Sequence, residues 1–210
     1  MAQSPLSFQY QGSSQDNFTA FAGLPLFLEM AQACGLTQAV EQMQLKEQGW
    51  MDSQIIHSLL LLNIAGGDCV EDINHLEADK GLNKLLLMQE GKGMLRKIRR
   101  AYLKRFRRSK NRALPSPSSI RRYLETFHSK EEEGKRVAGT AFIPQANKAL
   151  TDLARLNQTL VDFAQKRQPC GTATLDQDAT LAQTNKANAL FCYKHFKAYQ
   201  PFNTYGHEHK

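Results

Sequence analysis

Long apolar runs are missing from this chain. Runs such as Leu59 to Leu62 are far too short to span a bilayer, so no membrane-crossing helix and no membrane partner are expected. No basic, apolar, small-residue leader opens the sequence, so no secretion signal is expected and the protein is placed in the cytoplasm. Cysteine is scarce. Cys34, Cys69, Cys170 and Cys192 have neither metal-like nor paired spacing, and they read as reduced, mostly buried thiols. Several motifs of known chemistry are absent too. His57, His75, His128 and His195 form no HExxH, and Gly91-Lys92-Gly93 lacks the upstream glycine and following Ser/Thr of a phosphate loop. No Gly-x-Ser-x-Gly occurs either.

The chain has 210 residues, room for one large or two small domains, and its 41% apolar content suffices for a core. Its charge is unevenly spread. Residues 1–90 carry 3 Lys/Arg against 11 Asp/Glu, whereas residues 91–210 carry 24 against 9. A strongly basic second part calls for a polyanion, and nucleic acid is the natural one.

Residues 1–18 are polar and are expected to be loose. A helical pattern follows in "FTAFAGLPLFLEMAQACGL", with Leu26, Leu28, Met30 and Ala33 in its repeat and Gly35 as its stop. "MDSQIIHSLLLLNIAGG" predicts a second helix, capped by Asp52 or Ser53 and ended by Gly66-Gly67. In "DCVEDINHLEAD", Asp68 and Glu71 have capping-box spacing, and Ile73 and Leu76 supply an apolar face. "LPSPSSIRRYLETF" offers Ser116 as a cap and Pro117 at the first helical position. Ile120, Tyr123, Leu124 and Phe127 lie on its inner side. A long helix over Pro144 to Gln165 would turn Ala146, Leu150, Leu153, Leu160 and Ala164 inward. After Pro169-Cys170-Gly171 the period changes from 3.6 to 2.

Gly91 to Arg112 holds 11 Lys/Arg and no acid. Leu95, Ile98, Tyr102 and Phe106 recur at helical spacing, which predicts a helix packed by an apolar stripe. That helix would present Arg96, Lys97, Arg99, Arg100, Lys104, Arg105, Arg107 and Arg108 as an array, with Lys110 and Arg112 beyond it. A solvated surface helix ordinarily mixes signs, and this one does not, so phosphate contact is expected. Arg121 and Arg122 fit either a recognition helix in a groove or a water-facing side. Late in the chain, Thr174, Asp176, Asp178 and Thr180 share one face of a strand. Metal-dependent strand transfer needs carboxylates fixed on rigid elements, yet two aspartates on a strand also suit a solvent-facing edge.

In order along the chain, "TAFAGLPLFLEMAQACGL", "LLLLNIAGGDCVEDINHLEAD", "LPSPSSIRRYLETF" and "ATLDQDAT" resemble the DDE transposases of bacterial insertion sequences. The resemblance implies a mainly α protein: a helical DNA-binding region over residues 19–168, then the first strands of a ribonuclease-H-like α/β core over 169–210. In that family the first catalytic carboxylate stands on the core's first strand, in an Asp followed by a small residue and Thr. Asp178-Ala179-Thr180 matches, which makes Asp178 the expected catalytic residue and metal ligand, with Asp176 as supporting neighbour. Mg2+ or Mn2+ would serve the complete family enzyme. The family's second Asp and its Glu have no counterpart here, so the core is expected to be incomplete and this chain to hold no metal tightly. The implied partners are the end repeats of the element's DNA, and itself or a full-length transposase, in the nucleoid. Two other readings stand beside this one: a free-standing basic helical regulator of nucleic acid, and a metal nuclease completed by a partner chain. By the same logic the aromatic residues after Cys170 lack cover, and that region is expected to be poorly ordered.

Overall fold

The computed structural model describes residues 18–92, 94–108, 112–137, 142–187 and 189–206, with the backbone alone at 102, 103, 105–108, 202, 203, 205 and 206. The expected loose segment lies almost wholly outside them. The protein is mainly helical, with short antiparallel strands at its end. No described helix is long and apolar enough to cross a membrane. Two compact units form, one from residues 1–30 with 46–123, the other from 31–45 with 124–210. Helix α1 (Leu24–Ala33) runs across the first boundary. It buries Leu24, Leu28 and Ala31, while Leu26 and Met30 are exposed, so its inner stripe is rotated from the one expected.

In the first unit, α3 (Asp52–Ile64; α2 belongs to the second unit) buries Ile55, Ser58 and Leu62 along one face. Its N-cap is Met51, not Asp52 or Ser53. The Gln54 side chain reaches back to accept the Met51 N–H at 3.0 Å, and Asp52 is buried in the first turn. The helix ends as its glycines predict. Gly66 takes a left-handed φ of 80°, Gly66 N–H donates to Asn63 and Gly67 N–H to Leu62, so two orphan carbonyls are satisfied.

A 3-10 turn (Val70–Asp72) leads into α4 (Ile73–Ala78), whose Ile73 and Leu76 are buried as expected. The carboxylate closing this turn is Asp72, which accepts the N–H groups of Asp68 and Cys69 at 2.9 and 3.0 Å. Glu71 points elsewhere.

Asp79 caps α5 (Lys80–Glu90) by accepting the Leu82 N–H at 2.7 Å, and it also takes the Thr19 hydroxyl at 2.9 Å and the Ala20 N–H at 3.1 Å. Gly81 permits that approach: a Cβ there would lie 2.6 Å from the Phe18 carbonyl oxygen. Burial alone would raise the Asp79 carboxyl, but these hydrogen bonds outweigh it and hold it below its ordinary 3.8. Its contribution to stability is therefore present above pH 3.8 and lost as the pH falls through the depressed value. Asp79→Ala should cost about 1 kcal/mol in urea unfolding at neutral pH, with a smaller cost in acid. An equal cost at both pH values would show that the charge contributes nothing.

Helix α6 (Arg96–Arg108) carries the basic run, and α7 (Pro117–Leu124) follows it. Ser116 caps α7 by accepting the Ser119 N–H at 3.2 Å, with Pro117 at the first helical position, as the sequence predicts. Ile120 and Tyr123 are fully buried.

In the second unit, α2 (Leu36–Glu41) packs on α9 (Lys148–Arg167), and the short α8 (Lys130–Glu133) forms within the charged loop. Asn147 caps α9 and accepts the Leu150 N–H at 2.9 Å, so the helix starts four residues later than expected. Ala149, Asp152 and Leu156 form its inner face, whereas Leu153 and Leu160 are exposed. Burial of Asp152 is made tolerable by Lys148 and Arg155, at 2.7 and 2.9 Å. Lys148 also donates to the Met43 carbonyl just past α2.

Residues after Cys170, expected to be poorly ordered, pair as strands: β1 (Leu175–Ala179), β2 (Ala182–Gln183), β3 (Leu190–Phe191), β4 (Lys197–Tyr199) and β5 (Phe202–Gly206). β1 pairs with β5 and β2 with β4 in one continuous antiparallel register, from Leu175 opposite Gly206 to Gln183 opposite Ala198. β3 adds to the far side of β4. Most of this hairpin is exposed.

Candidate nucleic-acid interface

Basic residues dominate α6, and its described side chains, residues 96–101 and 104, are all exposed. Arg96, Lys97, Arg99, Arg100 and Lys104 therefore stand open to solvent, and none pairs with a carboxylate among the described residues. The aliphatic stem of Arg99 lies beside Gly91, where an added Cβ would come within 3.0 Å of it. The side chains of Arg105, Arg107 and Arg108, and all of Lys110, lie outside the described residues.

The apolar stripe departs from expectation. Leu95 is 74% exposed and Ile98 is 56% exposed, so the stripe is uncovered where it is described.

Other described cations have partners within the protein. Arg112 donates to the Asn74 side chain at 2.8 Å and to the Leu114 carbonyl at 3.1 Å. Arg121 forms an ion pair with Glu71. Arg122 is exposed, with its Nε donating to the Ser118 carbonyl one turn back at 3.3 Å. Lys92, at the head of the basic run, pairs with Glu29 at 3.1 Å.

Sequence reading missed the element that organises these contacts. Glu71, Asn74 and Glu77 recur every three residues along the 3-10 turn and α4, and each holds a part of the segment from Arg112 to Arg121. Glu77 is half-buried and accepts the N–H groups of Ala113 and Leu114 at 3.2 and 2.8 Å, which fixes the loop before α7. Burial pushes its carboxyl up, against those two hydrogen bonds. The spacing itself was the available signal, since residues three apart share a helix face.

Asp176 and Asp178 both lie on β1 and are exposed, opposite Tyr205 and Asn203 of β5. Alternation puts them on one face, as expected. Among the described residues no three His, Cys, Asp or Glu side chains gather where they could hold a metal ion. The cysteines are free, and Cys34 alone is buried, whereas Cys69 is exposed.

Comparison with family models, with curated proteins and with solved structures found no match.

Proposed function

We infer that this chain binds duplex DNA through α6, as the DNA-binding part of a DDE transposase acting in the transposition of an insertion sequence. The exposed cations of α6, Arg96, Lys97, Arg99, Arg100 and Lys104, which pair with no carboxylate among the described residues, carry this reading. Phosphate neutralisation needs many cations on one surface, free of internal partners, and counterion release then drives binding. The order of the four resembling stretches and the Asp178-Ala179-Thr180 match support placement in that family. Asp178 stands on a paired strand, β1 against β5, which supports reading it as a first metal ligand. The DNA partner would be the element's end repeats, in the nucleoid, with a second copy or a full-length transposase beside it.

Asp178 would be the first metal ligand and Asp176 its neighbour. Two-metal chemistry needs ligands from several elements fixed to within about half an ångström. Two exposed aspartates on one strand fall short of that, so this chain is expected to bind DNA without cutting it.

The test is a fluorescence-anisotropy titration with duplex DNA at increasing salt. Affinity should fall linearly in log–log form, with a slope near −0.9 for each phosphate contacted. No binding at low salt would sink the reading. Supercoiled DNA incubated with the chain and Mg2+ or Mn2+ should remain intact. Nicking that disappears in Asp178→Ala would overturn the non-catalytic part.

A further inference from the structure

The three side chains that the 3-10 turn and α4 direct at the segment Arg112 to Arg121 differ in one respect. Glu77 is half-buried and grips backbone N–H groups, and Asn74 is neutral. Glu71 and Arg121 are instead opposite charges with side chains 51% and 59% exposed. Water and ions reach both, and an exposed pair of this kind stabilises a fold little. Its removal would leave the Glu77 grip and the buried Ile120 and Tyr123 to hold α7.

The geometry points to Glu71 as an internal competitor of phosphate: the free chain keeps Arg121 on Glu71, and bound DNA takes Arg121 onto a phosphodiester. This rests on the nucleic-acid reading above. A carboxylate and a phosphodiester each offer two anionic oxygens to a guanidinium fork, so one can replace the other without moving α7. Arg121 also has suitable company. Ser118, Arg121 and Arg122 are exposed on the same side of α7, away from Ile120 and Tyr123. A phosphate drawn to Arg122 would arrive beside the Arg121–Glu71 pair. Unlike the cations of α6, Arg121 adds to binding only once Glu71 has released it. Glu71 thereby lowers the affinity of the chain for a duplex that reaches α7, by the cost of breaking its pair with Arg121.

A double-mutant cycle tests this, read by anisotropy on a duplex at about 50 mM salt. Removing any acid near bound DNA strengthens binding somewhat, through the general field. The cycle separates that effect from competition for Arg121. Glu71→Gln should raise affinity about three- to tenfold with Arg121 present, and by less than about twofold in the Arg121→Ala background. Asp68→Asn removes a charge from the same region without touching Arg121 and should give less than half the gain in fold terms. Equal gains from Glu71→Gln in both backgrounds, a matching gain from Asp68→Asn, or no gain would each overturn the competitor role while leaving DNA binding in place. Binding absent from the wild type and from every variant would overturn the nucleic-acid reading, and this inference with it. Melting curves check that the variants fold, and Glu71→Ala serves in the same cycle should the glutamine variant fail to do so.

Discussion

Alanine at Arg96, Lys97, Arg100 and Lys104 together should weaken duplex binding by about a hundredfold or more near 0.1 M salt, to a similar degree for unrelated sequences. All four side chains are exposed on α6. Their loss removes charge without opening a cavity, so the melting temperature should barely move. Each phosphate contact contributes about 0.9 to the salt slope, so loss of four should flatten it by roughly 3 to 4. The slope is the more diagnostic readout. A misfolded variant loses affinity but cannot report a smaller slope with a native melting curve. Unchanged affinity and slope would mean that the array on α6 faces no phosphate.

Tyr123→Ala should destabilise the first unit by about 3–5 kcal/mol, the usual cost of deleting a buried aromatic ring. Tyr123 is 0% exposed and Asp52, beside its hydroxyl, is 6% exposed. The cavity would therefore also strand a carboxylate in the core. Urea unfolding gives the magnitude. Tyr123→Phe separates ring from hydroxyl and should cost much less. Burial first, and then the charge and hydrogen bond of Asp52, raise the Tyr123 phenol above its ordinary 10.0. A raised value makes the contribution fully present below pH 10 and lost as the pH rises toward the folded-state value. The wild type should lose stability above pH 10 more steeply than Tyr123→Phe. Parallel profiles would mean that the hydroxyl is not shielded.

Local signals proved readable. Ser116 capping α7, Pro117 at its first position and the glycines ending α3 were legible because each depends on a few adjacent residues. Which side of a helix faces inward was harder. On α9 the apolar residues suggested one face, but the protein buries Asp152, neutralised by Lys148 and Arg155 of the same helix, between Ala149 and Leu156. A charged residue on an inner face hides that face from an apolar count. On α6 the periodicity identified Leu95 and Ile98 as sharing a side, but periodicity carries no information about what covers it, and both are exposed. The aspartates of β1 were placed on one face correctly, since alternation is fixed by strand geometry. Their cross-strand neighbours depend on a register set by residues about 20 to 30 positions away, which no local pattern specifies. The Glu71 pair was likewise invisible, because it joins residues 50 positions apart.

One rung of the terminal hairpin is half-made. Thr180 donates to the Pro201 carbonyl at 3.2 Å, and proline, with no N–H, returns nothing. The ladder is thus divided at that point into an aspartate-bearing arm, β1 with β5, and a three-stranded tip, β2, β4 and β3. Amide exchange should report the division as two separate rates, with the two-stranded arm the faster because each of its strands has a neighbour on one side alone. The arm that carries Asp178 would then breathe independently of the tip, like a page turning on a stitched fold.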